Sequence, residues 1–390
     1  MTILTLNAGS SSIKFALYRM EGREQRSASG MIDRIGLPDG RFRAMNDRET
    51  LVDEPGSFPD HEAALAVLFA WLRSISGGIV VSAIGHRVVQ GGPRLTRPAQ
   101  VTAEILTELK SFISLAPNHL PGQIAAIEAA GRAYPTLPQV VCFDTAFHRS
   151  MPAIARRLPL PREYFDKGVQ RYGFHGLSYD YLAMELARIA PSEVAGRVVI
   201  AHLGNGASMA AVQGGKAVDT TMGLTPLGGL VMSTRAGDLD PGVVLYLLRD
   251  AGLSVDQAED LLAKKSGLLG ISGVSSDMKD LLERQTADPH AAEAVEIFCR
   301  QARKFVAAMT ASLGGIDTLI FTGGIGEHAA EVRQRIADGL GFLGITLDVA
   351  RNAASADVIS SDASKVVVRV MKTNEEVMIA RQTLALLPNS

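Results

Sequence analysis

Apolar and polar positions alternate from the first residues. Ile3, Leu4 and Leu6 read as a buried strand, Asn7 to Ser12 interrupt it with small, turn-forming residues, and Ile13, Phe15 and Leu17 resume with period two. The pattern predicts a hairpin with a hydroxyl-rich tip and Lys14 just beyond it. From Tyr18 to Val52 it continues as short strands with turns at Gly22, Gly36 and Pro38–Gly40. Helical spacing follows over His61 to Arg73, ending near Gly77–Gly78. A strand over Ile79 to Ile84 delivers GHRVVQGG. Helices are predicted over Thr102 to Phe112, about Gly122 to Tyr134, and Tyr179 to Ile189. A buried strand, Gln139 to Phe143, runs into Asp144. Loops cover APNHLP and RYGFHG.

The opening theme then returns. VVIAHLGNGAS, Val198 to Ser208, is again strand, Gly-rich tip and resumed strand, with Gly206 echoing Gly9 half a chain earlier. A third tip lies in Asp317 to Leu340: strand DTLIF, a Gly turn TGGIGE, then a helix. Each tip reads either as an anion seat or as an ordinary packing turn. Together, on alternating strands and helices, they argue for two related α/β halves and one anionic ligand.

Composition narrows the class. The 390 residues carry 47% hydrophobic and 21% charged residues and a net charge of −2. That describes a globular chain with ample core and no bias towards nucleic acid or membrane surfaces. No apolar run of membrane-spanning length and no secretory leader is apparent, and two cysteines without a CxxC partner suggest reduced thiols in a cytoplasm. GSSSIK is not a Walker A loop, because no second Gly precedes Lys14, no Ser or Thr follows it, and a strand succeeds it.

The polar residues at strand ends and Gly-flanked loops are the candidate chemistry: Arg87, Asp144, His175 and Arg235. His86 and His202 read more readily as satisfied structural histidines than as functional ones. His148 reads as structural, and His61 and His290 as surface. Asp238 or Asp240 reads as a helix cap before Pro241. No zinc spacing and no GxSxG elbow occurs. Two arginines, an aspartate, a histidine and three small-residue tips suit phosphoryl transfer, which needs cations around the moving oxygens and a carboxylate near Mg²⁺.

LNAGSSSIKF, HRVVQGG, FDTAFH, RYGFHG, HLGNG, TPLGGLVMSTRAGDLDPG, SGLLGISGVSSDM, FTGGIGE and TNEEVMIAR resemble, in order and over nearly the whole chain, the acetate kinases. The resemblance implies two duplicated actin-like (ribonuclease H-like) α/β domains, residues 1–145 with 372–390 and residues 146–371, with the active site in the cleft between them and homodimerisation through the second. It implies reversible phosphorylation of acetate by ATP, with Mg²⁺ (or Mn²⁺) held by Asn7 and Glu375. Lys14 would approach the ATP phosphates, with Ser10 and Ser12 in the same hairpin. Arg87 would bind the acyl substrate and Arg235 would join it at the phosphoryl group. His175 would stabilise the transition state. Asp144 carries the family's acid role, although an ionised carboxylate substrate needs no general base and Asp144 is expected instead to position Mg²⁺ or substrate. ATP contacts are expected from His202, Leu203, Gly204, Asn205 and Gly206, from Asp277, Met278 and Lys279, and from Gly324, Ile325, Gly326, Glu327 and His328. Val89, Asn118, Phe174 and Pro226 would line the substrate pocket.

The chain departs from the family pattern in places. APNHLP sets Asn118 where the family has Leu, so either Leu120 supplies the apolar surface or the pocket differs. LSY replaces TSH at Leu177 and Tyr179, Gly228 stands for Glu, and His328 for Asn. Substrate preference is therefore open to propionate. A sugar kinase would want a base for its hydroxyl nucleophile, and Arg87 is a strange neighbour for a neutral sugar. An actin- or chaperone-like ATP-binding protein would not need two arginines.

Overall fold

The computed structural model describes residues 1–9, 11–74 and 80–387; Ser10, the expected helix end at Gly77–Gly78 and the expected strand start at Ile79 lie outside the described residues. The chain separates into two compact units, Met1–Ala146 with Asn374–Ser390, and Phe147–Thr373.

Each unit is built on one mixed sheet. The first contains β1 (Thr2–Ala8), β2 (Ser12–Glu21), β3 (Arg23–Asp33), β4 (Gly40–Met45), β5 (Thr50–Gly56), β6 (Val81–Val88), β7 (Ala99–Gln100) and β8 (Gln139–Phe143). Their order is β5-β4-β3-β2-β1-β6-β8-β7. The second contains β9 (Arg197–Leu203), β10 (Ala207–Gln213), β11 (Lys216–Thr220), β12 (Thr318–Thr322) and β13 (Val367–Val370), in the order β11-β10-β9-β12-β13. Without β4, β5 and β7 the two orders coincide. In both, three strands follow one another antiparallel, and two further strands add parallel beside the first. What repeats is thus a whole five-stranded sheet. Because β1 ends at Ala8 and β9 at Leu203, Gly9 corresponds to Gly204 rather than to Gly206.

The central strands are buried on both faces, as parallel strands covered by helices must be. All five residues of β12 are buried, as are six of the seven in β9. The helix His61–Ser74 buries Ala64, Leu65, Leu68, Phe69 and Leu72, a single 3.6-period stripe packed with Leu4, Phe15 and Phe42. The 25-residue helix Pro289–Leu313 buries a matching stripe in the second unit. No described helix is long and apolar enough to cross a membrane.

Three expectations are corrected. The strands between Tyr18 and Val52 are not all short, since β3 alone has 11 residues. GHRVVQGG does not follow a strand: β6 runs through Gly85, His86 and Arg87 to Val88. Gly85 lets it do so, because a Cβ there would sit 2.3 Å from Thr383 Oγ1 and 2.6 Å from Ile379 Cγ2 on the last helix, Glu375–Leu384. GGIGEH is a short helix, Gly323–His328, rather than a turn. It is entered through Gly323 at φ +78°, where a Cβ would meet the Leu203 carbonyl at 2.7 Å.

Candidate active site

In the first unit Arg87, near the end of β6, gathers the charged residues. Its Nε lies 3.0 and 3.2 Å from the two oxygens of Asp144, and its Nη2 donates to Asp144 Oδ2 at 2.6 Å. Nη1 donates to Asn7 Oδ1 at 3.1 Å, and Glu375 Oε2 lies 3.8 Å from Nε. Asp144 follows β8, its backbone N–H donating to the Val88 carbonyl. Its side chain is 1% exposed, and that of Arg87 is 19% exposed, so Arg87 is the less enclosed of the two. Burial alone would favour a neutral guanidine. The charges of Asp144, Glu375 and Glu376 and the Asp144 hydrogen bonds outweigh it and hold Arg87 above its ordinary pKa. These bonds use three of the five N–H donors, leaving one on each Nη.

Asn7 pairs with Lys14 across the β1–β2 hairpin, so both side chains share a face, and Lys14 is exposed. Gln123, fully buried, ties this site together: its oxygen accepts from Val89 N–H at 3.0 Å and its amide donates to the Ala8 carbonyl at 3.3 Å. The ends of β1 and β6, which carry Asn7 and Arg87, are thereby fixed to one side chain. His61, expected at the surface, is half-buried, with Nε2 2.7 Å from the Gly9 carbonyl. His86 is structural. The Gln139 amide donates to its Nε2 at 2.7 Å and to Ile127 O at 3.2 Å, while the amide oxygen accepts from Gly131 N at 3.1 Å.

In the second unit His175 and His202 stack, ring centroids 4.3 Å apart and planes within 17°. His175 is in the left-handed region at φ 57°, just before the helix Gly176–Ile189. Such a conformation is uncommon for a residue with a Cβ and is held only by its surroundings. Here His148 Nε2 lies 3.0 Å from the Phe174 carbonyl. His175 Nδ1 lies 2.8 Å from Ser208 Oγ, and His202 Nδ1 lies 2.9 Å from Ser178 Oγ. A Cβ on Gly206 would come within 3.1 Å of His175 Nε2 and 3.6 Å of Arg235 Nη1. Glycine at the tip therefore makes room for the imidazole and guanidinium together. Arg235 Nη1 donates to the Pro226 carbonyl at 3.2 Å. Its loop is pinned to the same tip, Ser233 N–H donating to Asn205 O at 3.2 Å.

Residues 2–381 match the model of the acetokinase family. The chain belongs to that family. It is 46% identical to the acetate kinase of Rhodopseudomonas palustris strain ATCC BAA-98 / CGA009, over 97% of this chain and 96% of that one. It is also 46% identical to the acetate kinase of Methylocella silvestris, over 99% and 98%. Among solved structures it resembles acetate kinase from Porphyromonas gingivalis, with TM-score 0.89, 36% identity, and 99% and 100% coverage. It also resembles a propionate kinase from Francisella tularensis subsp. tularensis SCHU S4, with TM-score 0.94, 38% identity and the same coverage.

The remaining acetokinase motifs fall as follows. Gly324 adjoins the HLGNG tip, its N atom 3.7 Å from where a Gly204 Cβ would be. Glu327 points inward: its carboxylate accepts from Gly323 N–H at 3.0 Å and Thr373 N–H at 3.2 Å. Asp277 caps the helix Met278–Arg284 by accepting from Lys279 N–H, Met278 is buried, and Lys279 is exposed. Asp240 caps the helix Pro241–Arg249, and Asp238 accepts from Gly229 N–H. Val89, Phe174 and Pro226 are buried, and Asn118 is half-buried in the turn before the helix Leu120–Ala133. Leu120 is fully buried at that helix's start. Sequence reasoning missed Gln123, Arg333 and the partners of Tyr179, whose contacts lie far along the chain. Arg333 is completely buried and donates to Asn352 Oδ1 and to the carbonyls of Gly326, Glu327 and Asn352, and to Ser355 Oγ. It holds the end of the Gly323–His328 helix with no carboxylate partner among the described residues.

Proposed function

We propose that this acetokinase phosphorylates acetate with ATP, reversibly, giving acetyl phosphate and ADP. The supporting observation is the Arg87 guanidinium, locked edge-on by Asp144 with one N–H left on each Nη, an arrangement suited to a planar carboxylate. An acetate oxygen forms the new bond to the γ-phosphorus as the bond to the β–γ bridging oxygen breaks and ADP leaves. Acetate is already ionised at neutral pH, so no proton need be removed. Asp144, committed to Arg87, acts by orienting it. Arg87, Arg235 and His175 supply donors to the equatorial oxygens in a direct in-line transfer.

Asn7 and Glu375 offer oxygen donors only, and the described residues hold no cluster of three or more His, Cys, Asp or Glu side chains able to bind a metal. That sparse, hard donor set fits Mg²⁺, which keeps waters and substrate phosphates among its ligands. When bound, the ion would neutralise charge on the phosphates.

Both cysteines are free and buried, consistent with work in the cytoplasm. A homodimer formed through the second unit is supported by the helix Pro241–Arg249. That helix buries none of its residues and leaves Leu245 47% and Tyr246 59% exposed. Sedimentation of the wild type and of Tyr246→Lys tests it: a wild-type monomer overturns the dimer.

The acid itself is tested by hydroxamate trapping of acyl phosphate with acetate, propionate, butyrate and glycerol in parallel. Turnover that falls with chain length supports acetate. The polar Asn118 and the likeness to a propionate kinase favour propionate as the second reading, and a propionate preference would establish it. No acyl phosphate from any acid, with ATP still bound, overturns both.

A further inference from the structure

Tyr179 belongs to none of the site roles above, yet its hydroxyl is completely buried beside them. It lies 2.5 Å from Ser208 Oγ on β10, and Ser208 Oγ lies 2.8 Å from His175 Nδ1. Ser208 is itself fully buried. Three groups in line share two hydroxyl protons, and the order in which they donate determines the state of the imidazole.

Burial raises the phenol's pKa, only partly opposed by its Ser208 contact, so Tyr179 keeps its proton and must place it. If Tyr179 donates to Ser208, the single Ser208 proton is satisfied by going to His175 Nδ1; were an Nδ1–H to donate to Ser208 as well, that buried hydroxyl proton would lack an acceptor among the described side chains. Nδ1 is then an acceptor, and the ring proton sits on Nε2. The reverse order would have Nδ1–H donate to Ser208 and Ser208 to Tyr179. The buried phenol proton would then lack the acceptor it uses here, a loss that buried polar groups rarely sustain.

The other groups facing His175 point the same way. The His202 ring is stacked on it, and Arg235 Nη1 approaches the same Gly206 position as His175 Nε2. An imidazolium at His175 would sit beside one guanidinium and against a second titratable ring. His202 has its own relay, since its Nδ1 faces Ser178 Oγ, which lies 2.8 Å from Thr373 Oγ1.

We propose that Tyr179 is a positioning residue for phosphoryl transfer: through Ser208 it holds His175 as the neutral Nε2–H tautomer, presenting an N–H donor to the moving phosphoryl group. The inference rests on the phosphoryl-transfer reading for its purpose, but its structural content stands without it. Where the family motif reads TSH this chain reads LSY, so the relay belongs to this chain's own tyrosine.

The test is long-range ¹H–¹⁵N NMR of the full-length protein with ¹⁵N-labelled histidine, His175 being assigned by loss of its signals in His175→Gln. The wild type, Tyr179→Phe, Ser208→Ala and Tyr179→His are compared. The wild type is expected to show a protonated Nε2 and a bare Nδ1. Tyr179→Phe frees Ser208 to accept, so His175 gains Nδ1–H. Its kcat falls about tenfold, by analogy with the loss when the hydrogen-bond partner of a metal-ligating histidine is removed, while KM for ATP and for the acid holds. Tyr179→His, which replaces the lost O–H with a ring N–H donor, recovers most of that loss. If Tyr179→Phe does not fold, Ser208→Ala breaks the same relay with both rings in place. A wild-type Nδ1–H tautomer, or an unchanged tautomer in both relay variants, overturns the proposal. A wild type that makes no acyl phosphate refutes the functional reading and leaves the tautomer result to stand or fall on its own.

Discussion

Adding one methyl group at Gly206 is expected to separate activity from stability. Gly206 is not among the glycines of positive φ, so alanine fits the backbone there. The new Cβ, however, would stand 3.1 Å from His175 Nε2 and 3.3 Å from its Cε1, and 3.6 Å from Arg235 Nη1. Ordinary contacts between such atoms begin near ~3.5 Å, so the imidazole must retreat by about 0.4 Å. Misplacing a reacting group by ~1 Å can lower a rate about 100-fold, so this smaller shift predicts a fall in kcat of about tenfold, or ~1.4 kcal/mol. Restricting the unfolded chain should meanwhile return about 0.4–1 kcal/mol, roughly offsetting the tight contact. Gly206→Ala should therefore melt within a few degrees of the wild type while turning over slowly in the hydroxamate assay. Wild-type kcat would refute the assignment of the tip as the space around His175 Nε2. A loss of more than ~2 kcal/mol in urea unfolding would show that the strain is spread through the fold.

Asp144→Ala should destabilise the first unit by about 2–3 kcal/mol, because it takes the main partner from a mostly buried guanidinium that keeps Asn7 and Glu375, and Arg87→Ala/Asp144→Ala should be little worse in kcat than either single variant; additive losses in a double-mutant cycle would show that the two residues act separately. Burial carries His86 and His148 from the usual 6.5 down to about 4. The unfolded chain therefore binds protons that the folded chain refuses, so their contribution is complete above the upper value and lost as the pH falls towards the lower one. Between about pH 7 and pH 5 the wild type should lose about 2 kcal/mol more stability than His86→Asn, and equal slopes in urea titrations would contradict the assignment. Arg333→Met should raise KM for ATP about tenfold with KM for the acid unchanged, since the carbonyls of Gly326 and Glu327 lose their donor; a selective change in the acid's KM would refute it.

The hairpins and their tips could be read directly from the chain, because a buried strand alternates with period two and only small residues make a tight tip. The nine motifs then brought the family with them. The extent of β6 was harder: the predicted strand stops at Ile84, and only the close approach of Ile379 and Thr383, almost three hundred residues later, explains why a glycine belongs inside the strand. The GGIGEH helix was missed because its glycines suit a turn, whereas Arg333 and Glu327 supply the ties that make it helical. Gln123 and Tyr179 carried no local signal. Each acts through hydrogen bonds to segments remote in sequence, and an apolar helix face containing one Gln or one Tyr reads as ordinary core.

The discontinuity of the first unit has a consequence for synthesis. Residues Phe147–Thr373 form a continuous unit, whereas the first lacks Asn374–Ser390 until the whole of the second has been synthesised. The helix Glu375–Leu384 buries Val377, Met378, Ile379 and Ala380, and Gly85 in β6 is shaped to its passage. Until it emerges, β1, β6 and β8 await their cover, so the portion made first is the portion completed last. The same helix brings Glu375 to Arg87. A truncated or stalled chain can thus build the histidine and glycine apparatus of Phe147–Thr373 but not the charged cluster of the first unit, which keeps incomplete products from acquiring a whole set of reacting groups.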